Sequence, residues 1–328
     1  MLWAHRGSIA IGLVTCLVVL VAVELAVFRS GLFLSHVGFA SPVSPIAKLA
    51  LAERAPDARL LFVGDSTVLA DVAPAVVTQT CDCGEGFNGA FAAANARTTL
   101  AMTRRLLGIL HPRLVVVDAA PWLVDTSGQF TGDLFAREVL SPADLYALGE
   151  PVDAVGMVDK EVGSVWTAYG QRFLVKEWLQ SLVPGQRYDE AKRGLYVPPG
   201  SATSPAALAA AMEHYFPDPT AQVAPSAPGA TALGALIEEL RGRGISVAVL
   251  LPPFHPAVRE HAGPFLDRAD AAIQQFLSGY GVSVIDCRGA VAATDFRDLA
   301  HLTEQGAAKH SLCVGEQIRT LDAASALQ

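Results

Sequence analysis

The sequence predicts a doubly wound α/β domain behind one N-terminal membrane helix. Three observations predict it. Short apolar runs rich in β-branched residues recur along the chain, at Arg59–Val63, within Gly84–Phe91, and at Arg113–Ala119, Ile245–Leu251 and Val282–Cys287. Segments with helical spacing separate them. One stretch, Ser8–Phe28, is far longer and carries a single charge, Glu24. Strands covered on both faces read as continuous apolar runs, and intervening helices make the connections parallel. The expectation is a mostly parallel five-stranded sheet with helices on both faces. Its strand C-termini share one edge, where ligands bind in such sheets.

The elements follow in chain order. Ser8–Phe28 would be roughly 31 Å long as a helix, which matches a hydrocarbon core of about 30 Å. Its length exceeds the apolar region of a cleavable signal, and no small-x-small site follows it, so it reads as an uncleaved signal anchor. Glu24 either marks the outer edge of this span or meets a polar partner helix in the membrane. Residues 1–30 are therefore assigned to the anchor and 31–57, with Pro42 and Pro45, to a connector. The α/β domain is expected over 58–322, with a short tail at 323–328. Asn95–Leu110, Ala230–Arg243, Phe265–Tyr280 and Glu304–Leu321 are its helices. From about 123 to 228 the alternation fails. That stretch holds Trp166, Trp178, Tyr169, Tyr188, Tyr196 and Tyr215, and is rich in Pro, Ser and Ala at Val197–Pro205 and Asp218–Pro228. It reads as an insertion over the ligand edge, its aromatic residues either lining a sugar or acyl pocket or simply packing.

Composition narrows the function. With 24 Lys+Arg against 32 Asp+Glu, the net charge is −8, which argues against nucleic-acid binding by counterion release. A chain that is 52% hydrophobic and 17% charged is not a disordered one. No metal or cofactor motif is visible. Cys81-Asp82-Cys83 lacks the paired spacing of a zinc site, and His261 and His310 have no ligand partners at metal spacing. Outside the span, Cys81, Cys83, Cys287 and Cys313 permit three pairings. Cys287 and Cys313 come close if the domain folds as expected, whereas Cys81 and Cys83 look too near in sequence for an ordinary bridge. Buried free thiols are the other reading.

Two motifs carry chemistry. Val63-Gly64-Asp65-Ser66 directly follows the first strand, where a sharp turn exposes the Ser hydroxyl and leaves its N–H for an oxyanion. Asp298-Leu299-Ala300-His301 follows the fifth strand. At this spacing the carboxylate can fix the imidazole tautomer while the other ring nitrogen faces the Ser. Asp65 either caps the following helix or lines the site, and His255, among prolines at a strand end, either lines the pocket or shapes a turn.

On these residues the chain resembles the SGNH (GDSL-like) hydrolases. Gly64, Asp65 and Ser66 match the first block, and Asp298 and His301 the last. The tail Asp295–Ser311, the segment HPRLVVVDAAPW and Leu251–Pro256 resemble the membrane-anchored, exported branch that includes alginate O-acetylation and teichoic acid D-alanine transfer proteins. The resemblance implies a flavodoxin-like sheet with Ser66 as nucleophile, His301 as base and Asp298 as its orienter. It implies oxyanion donors in the second block, Phe87-Asn88-Gly89-Ala90, from Gly89 or Asn88. The third block departs from the pattern: Asp118-Ala119-Ala120-Pro121 holds no Asn, for which Asn95 is a substitute. The implied protein is a single-pass envelope acyltransferase or acylesterase, its globular part extracytoplasmic and free of cofactors. It would act on O-acyl groups, above all acetyl, of a surface polysaccharide or other acylated glycan, with a polytopic membrane protein as acyl donor. The alternative is a non-catalytic glycan-binding or scaffold protein of an envelope assembly complex.

Overall fold

The computed structural model describes residues 2–33, 38–126, 158, 161–163, 165–198, 203–216 and 220–321. The expected tail, 323–328, and much of the expected insertion lie outside them. The chain divides into two compact units: Met1–Ser41 with Pro142–Tyr188, and Pro42–Ser141 with Asp189–Gln328. The connector and the insertion expected from sequence are thus each shared between the two.

In the first unit a helix over Leu2–Val23 runs on through a π-helical turn, Glu24–Arg29. Its 19-residue segment Ile11–Arg29 has a mean hydropathy of 2.7, and of it only Glu24 is buried. Valines and isoleucines are poor helix formers in water, but away from water an apolar segment must satisfy its backbone internally, and a helix does this. Among the described residues it is the one helix long and apolar enough to cross a membrane. Thr167–Gly170 and Arg172–Ser181 are short helices of the same unit.

The second unit holds the sheet. Its strands are β1 (Ala58–Val63), β2 (Glu85–Asn88), β3 (Leu114–Asp118), β4 (Ser246–Leu251) and β5 (Ser283–Asp286). They lie in the order β2-β1-β3-β4-β5, every pair parallel. Side chains alternate across a strand, so both faces must be apolar if both are covered. Leu60, Phe62, Leu114, Val116, Ala248, Leu250 and Ile285 face one core with Val314 and Ile318 of the Glu304–Thr320 helix. The intervening Leu61, Val63, Val115, Val117 and Val249 are equally buried. Truncating Phe62 to Ala in such a core costs about 3–5 kcal/mol. The order reverses direction between β1 and β3, which opens a crevice at their C-terminal ends.

Two local features differ from the sequence expectation and one adds to it. The helix expected from Phe265 begins at Pro256, its N-terminus capped by His255, and passes Pro264 with a kink at Ala262. Proline is well suited to a first turn, and inside a helix it bends rather than ends it when packing holds both halves. Pro205–Tyr215 is a helix of the insertion between its two Pro-rich portions, started by Ser204 as cap and Pro205 in the first turn. Cys81 is bonded to Cys83, contrary to the expectation that they stand too close. Asp82 between them adopts the left-handed conformation (φ +54°), and the two Cα atoms lie 5.2 Å apart, within disulfide reach. Cys287 is bonded to Cys313, leaving Cys16 as the free cysteine.

Candidate active site

Ser66 opens a six-residue helix, Ser66–Asp71, directly after the turn that ends β1. The turn is built on Gly64 at φ +154°, where a Cβ would collide with Asp118 Oδ1 from the end of β3. A side chain at Gly64 is therefore excluded both by the backbone and by its neighbour. Asp65 is the N-cap: its Oδ1 accepts from the Thr67 N–H (2.8 Å) and the Thr67 hydroxyl (2.7 Å). The first N–H groups of a helix lack intrahelical partners, which leaves the Ser66 N–H for an oxyanion. Ser66 itself is partly exposed.

The second half of the site is a tight loop between β5 and the last helix. Phe296 and Leu302 form an antiparallel bridge, and the Arg297 N–H donates to the His301 carbonyl (2.8 Å). Within this loop His301 Nδ1 lies 2.9 and 3.0 Å from the two Asp298 oxygens. Asp298 Oδ1 also accepts the Ala300 and His301 N–H groups, at 3.1 and 2.9 Å. Burial raises the Asp298 pKa, but the bonds and charge of His301, with those N–H groups, outweigh it and hold the carboxyl well below the usual range. The carboxylate therefore assigns the proton to Nδ1, leaving Nε2 as the basic nitrogen.

One buried residue links the two halves. Asp71, at the end of the Ser66 helix, accepts the Leu302 N–H at 2.8 Å, and its own carbonyl receives His310 Nδ1 at 3.1 Å. The helix that begins with Ser66 is thereby fastened to the residue after His301. The His301 charge also acts on Asp65. Neither Asp71 nor His310 was legible as a site residue, because their pairing spans more than two hundred positions and follows no local motif. Burial lowers His310 to about 4, so it is neutral at physiological pH.

Burial also raises Asp65, Asp71 and Asp118. Asp65 and Asp118 face each other at the crevice: Asp118 accepts the Asp65 N–H, and the Asp65 charge pushes Asp118 further up. The Trp122 indole donates to Asp65. Trp122 in turn meets Phe254 edge-on (5.6 Å between centroids), which connects the Ser66 turn to the end of β4.

The second block is placed otherwise than expected. Asn88 is fully buried, and its amide donates to the Val68 and Val72 carbonyls at 2.7 and 2.9 Å. The Gly89 N–H donates to the Phe62 carbonyl at 2.8 Å, continuing the β1–β2 pairing. Both donors are spent on holding the Ser66 helix and the sheet edge, so neither is free for an oxyanion here. Asn95, the substitute, uses its Oδ1 to cap the Ala96–Leu106 helix.

His255 stands apart from the Ser–His–Asp set but on the same edge. Its N–H donates to the Leu299 carbonyl (2.8 Å), its Nδ1 accepts the Ala257 N–H (3.1 Å), and its ring meets Phe296 edge-on. It lines a cavity of about 240 Å³ at the ends of β3 and β4. Ala119, Pro121, Leu251 and Phe254 make the apolar wall, while Arg259, Asp270 and Arg288 stand at the polar end. Because Nδ1 is an acceptor, Nε2 is the donor of the neutral ring.

No family model matches the chain, and no curated protein matches it. Among solved structures, the chain is similar to one from Bacteroides fragilis described as "a putative acylhydrolase". The two are 11% identical, with 79% of this chain and 86% of that one covered at a TM-score of 0.39. An overlap this loose carries no argument about chemistry or substrate. The fold itself, a five-stranded parallel sheet between helices with an N-terminal apolar helix, stands on the strand order and register.

Proposed function

We propose that this chain is a membrane-anchored serine enzyme that cleaves or transfers O-acyl groups of a glycan. The observation that carries the reading is the Asp298–His301 pair, a carboxylate holding Nδ1 through both oxygens at the edge where Ser66 opens its helix. Ser66 Oγ attacks the acyl carbonyl carbon while His301 Nε2 takes its proton. Asp298 keeps the ring in the right tautomer and stabilises the imidazolium. The tetrahedral intermediate expels the glycan alkoxide, which takes the proton from His301 and leaves the acyl group on Ser66. Water or a second hydroxyl then attacks the acyl-enzyme by the same route in reverse.

The oxyanion is left to the Ser66 N–H once Gly89 and Asn88 are committed elsewhere. A site poor in such donors slows attack by water and by an acceptor hydroxyl alike, so transfer is favoured only where a bound acceptor displaces water from the acyl-enzyme. The Cys287–Cys313 bond is consistent with an oxidising, extracytoplasmic compartment. Acetyl as the acyl group and a surface polysaccharide as its carrier rest on the motif resemblance.

The test uses the full chain and a chromogenic acetate ester, comparing wild type with Ser66→Ala. Loss of hydrolysis by a factor of about 10³ or more is expected. Unchanged turnover with Ser66→Ala removes the assignment, and a cellular role kept by the Ser66→Ala chain favours the scaffold reading. Acylated glycan as product separates a transferase from an esterase, which yields free acid only.

A further inference from the structure

Large apolar side chains are not spread evenly over the described surface. In the α/β unit only Val284 and Leu312 are exposed members of this class. In the other unit, beyond the Ile11–Arg29 segment, Val165 is 70% exposed and Leu182 61%, and Trp166, Phe173, Leu179 and Val183 are exposed with them. A water-soluble surface rarely gathers such residues in one short stretch, and where it does something covers them.

The position of this stretch along the anchor says what covers it. Glu24 lies in the last turns of the apolar segment, and its carboxylate accepts the Thr167 N–H at 2.7 Å and the Ala168 N–H at 2.9 Å. Arg29, at the end of the segment, pairs with Glu24 at 3.2 Å and donates to the Val165 carbonyl. Residues Val165–Ala168 are thereby fixed at the level where the apolar helix ends. Phe28 meets Phe33 at a tilt (5.0 Å), and Phe33 meets Trp178 edge-on (6.1 Å), so the Arg172–Ser181 helix is held at that level too. The Arg172 guanidinium lies over Tyr169 (4.3 Å) and Phe173 (4.9 Å). Trp, Tyr and Phe beside Arg and Lys, at the end of a span, are the composition that settles at a membrane–water boundary.

We propose that the described residues of 158–183 form a second membrane-contacting element, lying in the headgroup–acyl boundary beside the anchor and binding a phospholipid bilayer surface. The proposal rests on reading Ile11–Arg29 as a membrane span. Its depth would be that of an interfacial helix, about 5–10 Å into the boundary. Glu24 then has a defined task. It caps the backbone that the lipid-facing element brings to the end of the span, and Arg29 neutralises it there.

The experiment uses the full chain in phosphatidylcholine vesicles, with or without lipid brominated high on its acyl chains. Emission from Trp166 and Trp178 is the difference between wild type and Trp166→Phe/Trp178→Phe. Bromolipid is expected to quench that difference strongly, and aqueous iodide to leave most of it. Flotation with vesicles after alkaline extraction tests the anchor separately. Failure to float overturns the span and the proposal with it. Flotation with iodide-quenched Trp166 and Trp178 overturns the proposal alone. Emission reached by neither quencher, with Leu182→Cys cross-linking to a second copy in a Cys16→Ser background, assigns the face to self-association and likewise overturns it. A nitroxide at Leu182→Cys checks the result without the Trp substitutions: oxygen collisions should exceed those of an aqueous nickel chelate, and the reverse order overturns the proposal.

Discussion

The two units treat leucine in opposite ways. In the α/β unit Leu60, Leu61, Leu114 and Leu250 are at most 1% exposed, whereas in the anchor-containing unit Leu17, Leu20, Leu179 and Leu182 are 46–62% exposed. Charges are handled alike in both. Lys48, Asp71 and Glu24 are all buried, and each is held by backbone groups of its own unit. The difference teaches that the α/β unit buries its large apolar side chains within itself, while the described residues of the other leave many of theirs exposed. Polar atoms must find partners inside the chain in either case, because neither a core nor a bilayer offers any.

The largest effect that can break this comparison lies at the sheet edge. Asp298→Asn keeps an oxygen to accept the Ala300 and His301 N–H groups but loses the charge beside Nδ1. Ester turnover is expected to fall about 10²–10⁴-fold, with the melting temperature at neutral pH lowered but the fold retained. A fall of less than about twofold would reduce the pair to a loop fastener, leaving the edge without chemistry. The same carboxylate has a folded pKa below its unfolded one. Its contribution to stability is therefore present above the ordinary carboxylate range and lost as the pH falls from that range through the lowered folded value.

The disulfides come next. By the loop-closure argument, opening Cys287–Cys313, 26 residues apart, costs about 3–4 kcal/mol, and opening Cys81–Cys83, two apart, about 1.5 kcal/mol. Equilibrium unfolding of the Cys287→Ser/Cys313→Ser and Cys81→Ser/Cys83→Ser chains measures both. Equal losses would mean that local geometry, rather than the closing of β5 against the last helix, sets their worth.

Much of the α/β unit was legible because its physics is local. RLLFV, RLVVVDA and ISVAVLL announce strands covered on both faces, and β1, β3 and β4 sit within a residue or so of those runs. β5 was legible only because it is flanked by helices; three of its four residues are exposed, as an edge strand allows. The Asp298–His301 contact was legible because three residues suffice to make it. What escaped were features decided at long range. Asn88 and Gly89 look like oxyanion donors until the Ser66 helix and β1 claim them, and Asp71 has no signal at all without Leu302. The N-terminal apolar helix was legible by length, but not the element that Glu24 holds beside it.

A smaller effect sharpens the contrast from the other side. Glu24→Ala leaves the Thr167 and Ala168 N–H groups without their acceptor, a local loss of about 1–2 kcal/mol. Amide hydrogen exchange at those two positions should speed up at least about fivefold, the equivalent of the lower figure, while ester turnover stays at the wild-type value. Unchanged exchange would leave Glu24 as the outer mark of the span and nothing more.

The smallest effect is read as a slope. Lys48 is fully buried; its Nζ donates to the Asn88 carbonyl at 2.8 Å and to the Gly194 carbonyl. Burial pushes its pKa well down. Between that lowered value and the ordinary lysine range, the unfolded chain binds the proton that the folded chain has released. Stability should therefore rise with pH in this window, by at most about 1.4 kcal/mol per pH unit, and be lowest below it. Lys48→Met removes the titration along with the bonds to both carbonyls. Thermal melts of the two chains from neutral pH upward should diverge, the wild type gaining on the variant as the pH rises. A difference that stays constant across the window would mean that Lys48 remains charged in the folded chain, compensated by more than two carbonyl oxygens. That result would break the view that the α/β unit tolerates a buried amine by giving up its charge.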